Sequence, residues 1–194
     1  MKDRRFNAAQ ALRLDDPARL LSLPPDEIIA ALHLRPGDTI ADIGAGTGYF
    51  SVPLAQAAGP SGKVYAVDAQ EEMLVWLRQK LAESGLSNVV AMQAEADCTG
   101  LPEASCSVVF LANVWHEFAD RSAILRESSR ILKAGGRIAI LDWRPDVEPE
   151  AGPPLEHRLS ASGAGNELRS SAFQHVANAN VGRYSWLVQG EKMQ

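Results

Sequence analysis

Short apolar runs alternate with amphipathic segments along most of this chain of 194 residues. Five of these runs have the composition of buried β-strands, and in chain order they read TIADI, KVYAV, NVVAMQA, SVVFLANV and RIAILDW. The segments between them place apolar residues three or four positions apart, which predicts helices with one buried face. Strands that alternate with helices predict an α/β fold, in which a doubly wound, mostly parallel sheet carries helices on both faces.

The pattern changes at both ends of the chain. Residues 1–23 show no clear periodicity, and we expect a separate N-terminal segment ahead of a single domain over residues 24–194. Residues 144–165 are rich in Pro, Gly and Ser, which predicts a long loop. The stretch after it predicts two antiparallel strands around a turn at residues 178–182. This reversed hairpin would lie at one edge of the sheet and would bring the number of strands to seven.

Composition and charge limit the kinds of partner that the protein is expected to bind. The chain has 46% hydrophobic and 22% charged residues and a net charge of −5, without a long run of Lys and Arg, so we expect no nucleic acid. It has neither an apolar run of the roughly 20 residues that cross a membrane nor the apolar core of a signal peptide. We therefore expect no membrane association and a cytoplasmic location. Cys98 and Cys106 are expected to be reduced thiols, and no metal site is predicted.

The stretch ADIGAGTGYF, residues 41–50, joins the first predicted strand to a helix. Its three alternating glycines let a ligand approach the backbone, and the helix start offers free N–H groups. A dinucleotide fingerprint would place its third glycine at position 49, where this chain has Tyr49, and no Lys-Ser or Lys-Thr pair follows as in a Walker loop. Asp42, just before the first glycine, would repel a pyrophosphate and favours a ligand with a positive group.

Two further acids follow the next two predicted strands. Asp68 ends the second strand, where an acid that accepts from ribose hydroxyls is expected, and Asp97 follows the third, in position for an adenine amino group. S-adenosylmethionine has a cationic amino-acid end, a ribose and an adenine, and it has no phosphate. The three acids therefore indicate S-adenosylmethionine more specifically than the glycines alone.

Five stretches carry a family resemblance: DIGAGTGYFSVPLA, VYAVDAQEEML, AEADCTGLP, LANVWHEF and LKAGGRIAILDW. In this order they resemble class I S-adenosylmethionine-dependent methyltransferases, of the small-molecule type related to the ubiquinone and menaquinone biosynthesis C-methyltransferases (methyltransferase type 11). The resemblance covers residues 24–145. It implies a Rossmann-like fold, S-adenosylmethionine as cofactor and S-adenosylhomocysteine as product. It assigns to the cofactor Asp42, Gly44, Ala45, Gly46, Gly48, Asp68, Ala69, Asp97, Cys98 and Asn113.

The acceptor side of the site has fewer candidates. His116, in VWHEF after the fourth strand, is a candidate base that would remove a proton from the acceptor, and a structural role is an equal alternative. Tyr49 and Trp115 are expected to line the acceptor pocket with His116, with ordinary packing as the alternative. We expect residues 1–23 to fold over the site as a lid.

These features predict an enzyme that moves a methyl group to a small-molecule acceptor by in-line displacement. Two other functions stay open. One is a module that binds S-adenosylmethionine or S-adenosylhomocysteine without catalysis, and the other is a nicotinamide-dependent oxidoreductase with an altered glycine turn. Asp42, Tyr49 and the lack of a Tyr-x-x-x-Lys pair weigh against the oxidoreductase. The sequence leaves both a monomer and a homodimer open.

Overall fold

The computed structural model of the chain describes residues 6–148 and 152–193. Its strands are β1 Thr39–Ile43, β2 Lys63–Asp68, β3 Val89–Gln93, β4 Cys106–Ala112, β5 Leu132–Trp143, β6 Phe173–Val181 and β7 Ser185–Lys192. They form one sheet in the order β3-β2-β1-β4-β5-β7-β6. The first five strands are parallel, whereas β7 pairs antiparallel with both β5 and β6. The predicted mostly parallel, seven-stranded sheet with a reversed hairpin at its edge is confirmed.

Helices cover both faces of this sheet. The α-helices of the described residues are α1 Arg19–Ser22, α2 Pro25–Ala31, α3 Ser51–Ala58, α4 Glu71–Ser84, α5 Arg121–Ile131 and α6 Ala161–Arg169. Short 3₁₀ helices add Ala8–Asp15, Trp115–Glu117 and Leu155–His157. Within these described residues, every helix is too short or too polar to cross a membrane.

The helix α4 illustrates how local sequence sets these elements. Glu71 and Glu72 lie in its first turn, where the helix dipole favours negative charge. Met73 and Leu77 belong to its buried side. Gly85 follows the last turn in a left-handed conformation with φ of 70°, a common way to end a helix. The prediction of this helix is confirmed.

Two large hydrophobic clusters, and a smaller third one against α4, fill the space between sheet and helices. Alternate residues of the central strands face one cluster, which includes Val109, Leu111, Ile138, Ile140 and Trp186. The intervening residues face the other cluster, which includes Ile40, Val108, Phe110, Ala139 and Leu141. Both faces of β4 are therefore buried, which explains why this central parallel strand is apolar along its length.

The segment predicted as a long loop, residues 144–165, is partly helical. It contains the 3₁₀ helix Leu155–His157 and the beginning of α6. Ser160 caps α6, because its hydroxyl accepts from the N–H of Gly163 at 3.1 Å. The helix contains two glycines, Gly163 and Gly165, and glycine has a low helix propensity, so the sequence composition predicted a loop instead.

The C-terminal hairpin is present, but its turn is displaced. The turn occupies residues 182–184, whereas the sequence predicted residues 178–182. Asn178 and Asn180, which are typical turn residues, are instead paired in the ladder between β6 and β7. Pairing along the sheet therefore outweighs the local preference of the two asparagines.

Candidate cofactor site and active site

The glycine turn, residues 44–48, leaves the carboxyl end of β1 and leads into α3. The N–H groups of Gly44 and Ala45 both donate to the carbonyl of Val67 in β2, at 2.8 and 3.0 Å. Gly44 has φ of 75°, and a Cβ atom there would lie only 2.7 Å from Cγ1 of Val114. This position therefore requires glycine, and the turn brings bare backbone to the edge of the sheet.

The far end of the same turn packs against α4. Gly48 has φ of 81°, and a Cβ atom there would overlap the side chain of Leu77. Its N–H donates to the carbonyl of Ala45 at 2.9 Å, which closes the turn. The glycine spacing that the sequence shows is thus a packing requirement on both sides of the turn.

Asp68, the last residue of β2, lies beside the glycine turn. One carboxylate oxygen accepts from the N–H of Gly46 at 2.8 Å, and the other accepts from the N–H of Gln70 at 2.9 Å. The side chain therefore orders both the turn and the start of α4. It stands at the position that the sequence assigned to a ribose-binding acid.

Asp42, in β1, lies beneath the turn and is 1% exposed. The hydroxyl of Ser51 donates to its carboxyl group at 2.6 Å. Burial raises the pKa of Asp42 to about 7, and the charge of Asp68 adds to the rise, while the bond from Ser51 opposes it. A cation bound nearby would favour the ionised form, so the group suits the positive end of a ligand.

Asn113 follows β4 with a left-handed backbone, at φ of 57°. Its N–H donates to the carbonyl of Leu141 at 2.8 Å, which extends the pairing of β4 with β5. The oxygen and nitrogen of its side-chain amide are both buried, and neither has a hydrogen-bond partner among the described residues. An unpaired buried polar group costs about 1–3 kcal/mol, so a ligand that bonded this amide would stabilise the fold. The resemblance assigned Asn113 to the cofactor, and this buried amide is a further feature that the sequence did not reveal.

Asp97 and Cys98 lie in a tight turn after β3, and both are exposed. In the described part of the chain, the Asp97 carboxylate makes no hydrogen bond, and it is therefore open to a donor. Glu127 of α5 stabilises the turn, because its carboxylate accepts a hydrogen bond from the N–H of Thr99 at 2.9 Å. Ala69, which follows Asp68, is half-buried at the start of the connection to α4. The strand ends thus carry the expected acids in the expected order.

His116 forms a close pair with Asp142 of β5. Its Nδ1 lies 2.9 and 3.0 Å from the two carboxylate oxygens of Asp142, and its backbone N–H donates to the same group at 2.9 Å. His116 is 7% and Asp142 is 1% exposed, so the pair is buried. Sequence reasoning missed Asp142, although an acid near the end of a parallel strand was the signal that identified the other acids.

The charges around His116 determine its protonation. Burial by itself lowers the pKa of His116, but the hydrogen bond and the charge of Asp142 outweigh it, so the pKa is raised. Partial burial raises the pKa of the adjacent Glu117 to about 7, against the opposing charge of His116 and the hydrogen bond from the N–H of Phe6. The charges of Asp142 and Asp68 also contribute to the raised pKa of Glu117, so Glu117 lies near both acids.

Comparison with known proteins identifies this arrangement. A family model described as Methyltransferase domain, of the type 11 methyltransferases, matches residues 41–140, which include the glycine turn and all three strand-end acids. The chain belongs to this family. The resemblance predicted from the sequence motifs is therefore confirmed.

Curated and solved methyltransferases add detail to the assignment. The ubiquinone/menaquinone biosynthesis C-methyltransferase UbiE of Escherichia coli O1:K1 is 32% identical over 118 residues, which are 60% of this chain and 47% of the relative. The chain thus spans about half the length of the curated relatives it matches. A SAM-dependent methyltransferase of Aquifex aeolicus is 32% identical with a TM-score of 0.91, over 97% of this chain and 100% of that structure.

More distant structures support the fold alone. A SAM-dependent O-methyltransferase of Thermotoga maritima is 22% identical with a TM-score of 0.68, over 93% of this chain and 71% of that one. The Rossmann-like methyltransferase fold is thus shared well beyond the range of sequence similarity.

The cofactor of this methyltransferase family member is S-adenosylmethionine, and the site fits it. The buried carboxyl group of Asp42 suits a cation, the glycine turn exposes backbone beside Asp68, and the unpaired amide of Asn113 lacks a partner that a ligand would supply. No group of three His, Cys, Asp or Glu side chains in the described residues is arranged to hold a metal ion.

Tyr49 packs against the N-terminal segment. Its hydroxyl donates to the carbonyl of Leu23 at 2.8 Å, and the guanidinium of Arg19 lies 4.3 Å from the centre of its ring. Tyr49 thus attaches the N-terminal segment to the glycine turn, in agreement with the packing alternative for this residue.

Trp115 also agrees with the packing alternative. Its side chain is fully buried in the core and packs edge-on against Phe118, with ring centres 6.1 Å apart. The indole N–H donates to Glu167 of α6 at 3.1 Å. These contacts make Trp115 a packing residue of the core.

The N-terminal segment, described here over residues 6–23, lies across the glycine turn. Asp15 accepts from the hydroxyl of Thr47 at 3.0 Å and forms an ion pair with Lys80 of α4 at 2.6 Å. Leu14 lies over the turn, because a Cβ atom at Gly46 would be 3.5 Å from its Cδ1. The segment thus contacts the turn and α4 together.

Two cavities lie near or beyond this segment. One, of about 490 Å³, lies between the N-terminal segment and the start of α4 and is lined by Asn7, Ala8, Ala9, Gln70 and Glu72. A larger one, of about 710 Å³, lies between α5 and α6, away from the cofactor residues. The smaller cavity adjoins Gln70, whose N–H bonds Asp68, so it lies beside the cofactor site.

Proposed function

We propose that this protein catalyses transfer of the methyl group of S-adenosylmethionine to a small organic acceptor. The observation that carries the proposal is the meeting of the glycine turn, Asp42 and Asp68 at the carboxyl edge of the sheet, with the unpaired amide of Asn113 beside them. When bound, S-adenosylmethionine supplies a sulfonium methyl carbon that is open to in-line displacement. The protein contributes by aligning the reactants and excluding water.

Each cofactor residue has a proposed part. Asp68 and Ala69 would hold the ribose and the edge of the adenine, and Asp97, with the backbone of Cys98, would accept from the adenine amino group. The glycine turn and Asp42 would hold the methionine end. Asp97 supports this assignment because its exposed carboxylate has no competing hydrogen bond in the described residues.

A small acceptor is supported by charge and by relatives. The net charge of −5 disfavours a polyanionic acceptor such as RNA. The curated relatives are named as C-methyltransferases of ubiquinone and menaquinone biosynthesis, whose names refer to small organic molecules. Both observations favour a small organic acceptor over a macromolecule.

The N-terminal segment is proposed as the lid of this site. Its contacts through Asp15, Leu14 and Phe6 join it to the glycine turn, to α4 and to Glu117, which lie on different sides of the site. A segment in this place would limit the entry of water and of bulky acceptors.

The proposal is tested by methyl transfer from S-adenosyl-[methyl-³H]methionine. The protein would be incubated in parallel with a deproteinised metabolite extract, with total tRNA and with a cell protein fraction. We expect label in the metabolite reaction alone. Label confined to tRNA or protein would contradict the small-molecule acceptor, and binding of the cofactor without label in any fraction would favour the non-catalytic module.

A further inference from the structure

The contacts of Asp142 set the tautomer of His116. The Asp142 carboxylate also accepts from the N–H of Trp143 at 2.8 Å, in addition to its contacts with the backbone and ring of His116. An ionised carboxylate only accepts hydrogen bonds, so Nδ1 of His116 must carry the proton. The Nε2 atom of the neutral ring then has a free lone pair. Among the described residues no group hydrogen-bonds this atom.

His116 is also next to the cofactor residues. Val114, two residues earlier, packs directly against Gly44 of the glycine turn. Glu117, the next residue, responds to the charges of both Asp68 and Asp142. The His116–Asp142 pair therefore borders the proposed cofactor site on the side of β4 and β5.

We propose that His116 and Asp142 act as a base that removes a proton from the acceptor, and that the reacting atom of the acceptor is a hydroxyl oxygen or an acidic carbon. This inference rests on the proposed function. His116 is the catalytic residue, because Nε2 touches the acceptor proton. Asp142 is a positioning residue, because it acts through the ring of His116.

Atoms and charge are conserved in this proton transfer and methyl transfer. The lone pair of Nε2 takes the proton from the acceptor O–H or C–H bond, and the electron pair of that bond stays on the acceptor atom. That pair forms the new bond to the methyl carbon, while the pair of the S–CH₃ bond remains on sulfur, which becomes a neutral thioether. The imidazolium, stabilised by the carboxylate of Asp142, then returns its proton to water.

The acceptor class follows from what such a base is needed for. A thiol, with an ordinary pKa near 8.5, supplies a nucleophile at neutral pH without strong help, whereas a phenol has a pKa near 10. A neutral amine attacks through a lone pair that it already has. The charged groups facing His116 are Asp142 and Glu117, which favour its protonated form, and Arg158, which opposes it. Together these charges favour the protonated form, so the imidazole ring of His116 readily accepts a proton.

The first test reads the tautomer directly and needs no turnover. In protein labelled with ¹⁵N-histidine, NMR should find His116 protonated at Nδ1 and bare at Nε2 at high pH, with a pKa above the ordinary value. Asp142→Asn should lower that pKa, and the matched Asp146→Asn should not, because Asp146 is exposed and pairs with Arg144 rather than with His116. A proton on Nε2 of His116 in the wild type, or an unchanged pKa of His116 in Asp142→Asn, would contradict the proposed role of the His116–Asp142 pair.

The second test uses four defined acceptors: catechol, acetylacetone, 2-mercaptoethanol and benzylamine. We expect methylation of catechol or acetylacetone, with kcat lowered about 10²–10⁴-fold in His116→Gln and unchanged in the exposed control His175→Gln. In Asp142→Asn the acidic limb of the rate profile should move to lower pH, which a purely structural role would not cause. Failure of both oxygen and carbon acceptors, or a fully active His116→Gln, would overturn the proposal.

Calorimetric binding of S-adenosylhomocysteine distinguishes failure of the proposed function from failure of the base proposal alone. If the wild type does not bind it, the proposed function fails. If wild type and His116→Gln bind it equally and transfer methyl groups equally, the proposed function stands and the base proposal alone is wrong.

Discussion

Asp42 is held by the fold in a place that disfavours its charge. Its pKa rises from 3.8 to about 7 through burial, so its protonated form stabilises the folded state at low pH, and that contribution is lost as pH rises through about 7. At about 1.4 kcal/mol per pKa unit, Asp42→Asn should raise the unfolding free energy of the ligand-free protein at pH 8 by up to about 4 kcal/mol. Near pH 4 the variant and the wild type should be similar.

Urea unfolding at the two pH values measures this difference. Asp146→Asn is the control, because Asp146 is exposed at the end of a surface ion pair. A variant with the same stability difference at pH 4 and pH 8 would contradict the raised pKa. Glu117, also raised to about 7, adds a pH dependence of the same sign in both proteins.

For individual residues, the sequence predicted where the acids lie in the sheet better than it predicted side-chain contacts. Asp42 and Asp68 were found because acids at strand ends converge in a parallel sheet. The partners of Tyr49 and His116 were not, because Arg19 and Asp142 reach them only through tertiary folding. The local sequence does not show which distant side chain packs against an aromatic or imidazole ring.

Among the elements, the N-terminal segment has the most direct functional consequence. Leu23 is fully buried in the core and bonds Tyr49, and Arg19 stacks on the same ring, so a clean deletion should stop before them. We expect removal of residues 1–18 to lower kcat for methyl transfer at least about tenfold, because water enters an open site. Binding of S-adenosylhomocysteine should change little, because the strand-end acids remain.

The paired variants Asp15→Asn and Asp16→Asn refine this test. Asp15→Asn removes the charge that holds Lys80, whereas Asp16 has an exposed side chain outside these contacts. Turnover should fall in the first and not in the second. Equal losses of binding and turnover after the deletion would show that the segment is part of the cofactor site rather than a lid.

The elements were predictable where apolar residues form a clear local pattern. The five parallel strands were identified because each is a short apolar run, and the central strands β1 and β4 are largely buried between two helical layers. The helix α6 and the turn at residues 182–184 were not, because small residues and asparagines give local signals that sheet pairing and helix packing override. The same region contributes Glu167, which holds Trp115 in the core.

For the whole molecule, the sheet topology explains why distant residues form one site. β1 lies between β2 and β4, and β4 pairs with β5. Asp42, Asp68, Asn113 and Asp142 are far apart in the chain, yet each lies near the carboxyl end of one of these four adjacent strands. The residues that we propose for the cofactor follow β2, β1 and β4, and the His116–Asp142 pair that we propose for the acceptor lies beside them at the ends of β4 and β5.

We propose that this edge, to which Asp68 contributes at the end of β2, binds the cofactor, and calorimetric titration of S-adenosylhomocysteine into wild type and Asp68→Asn tests this most directly. We expect saturable binding of one molecule per chain in the wild type. Each hydrogen bond to a charged group contributes about 1.5–3 kcal/mol, so affinity should fall about 10–100-fold in Asp68→Asn. Asp146→Asn should bind as the wild type does. Equal affinity of Asp68→Asn and wild type would contradict the account.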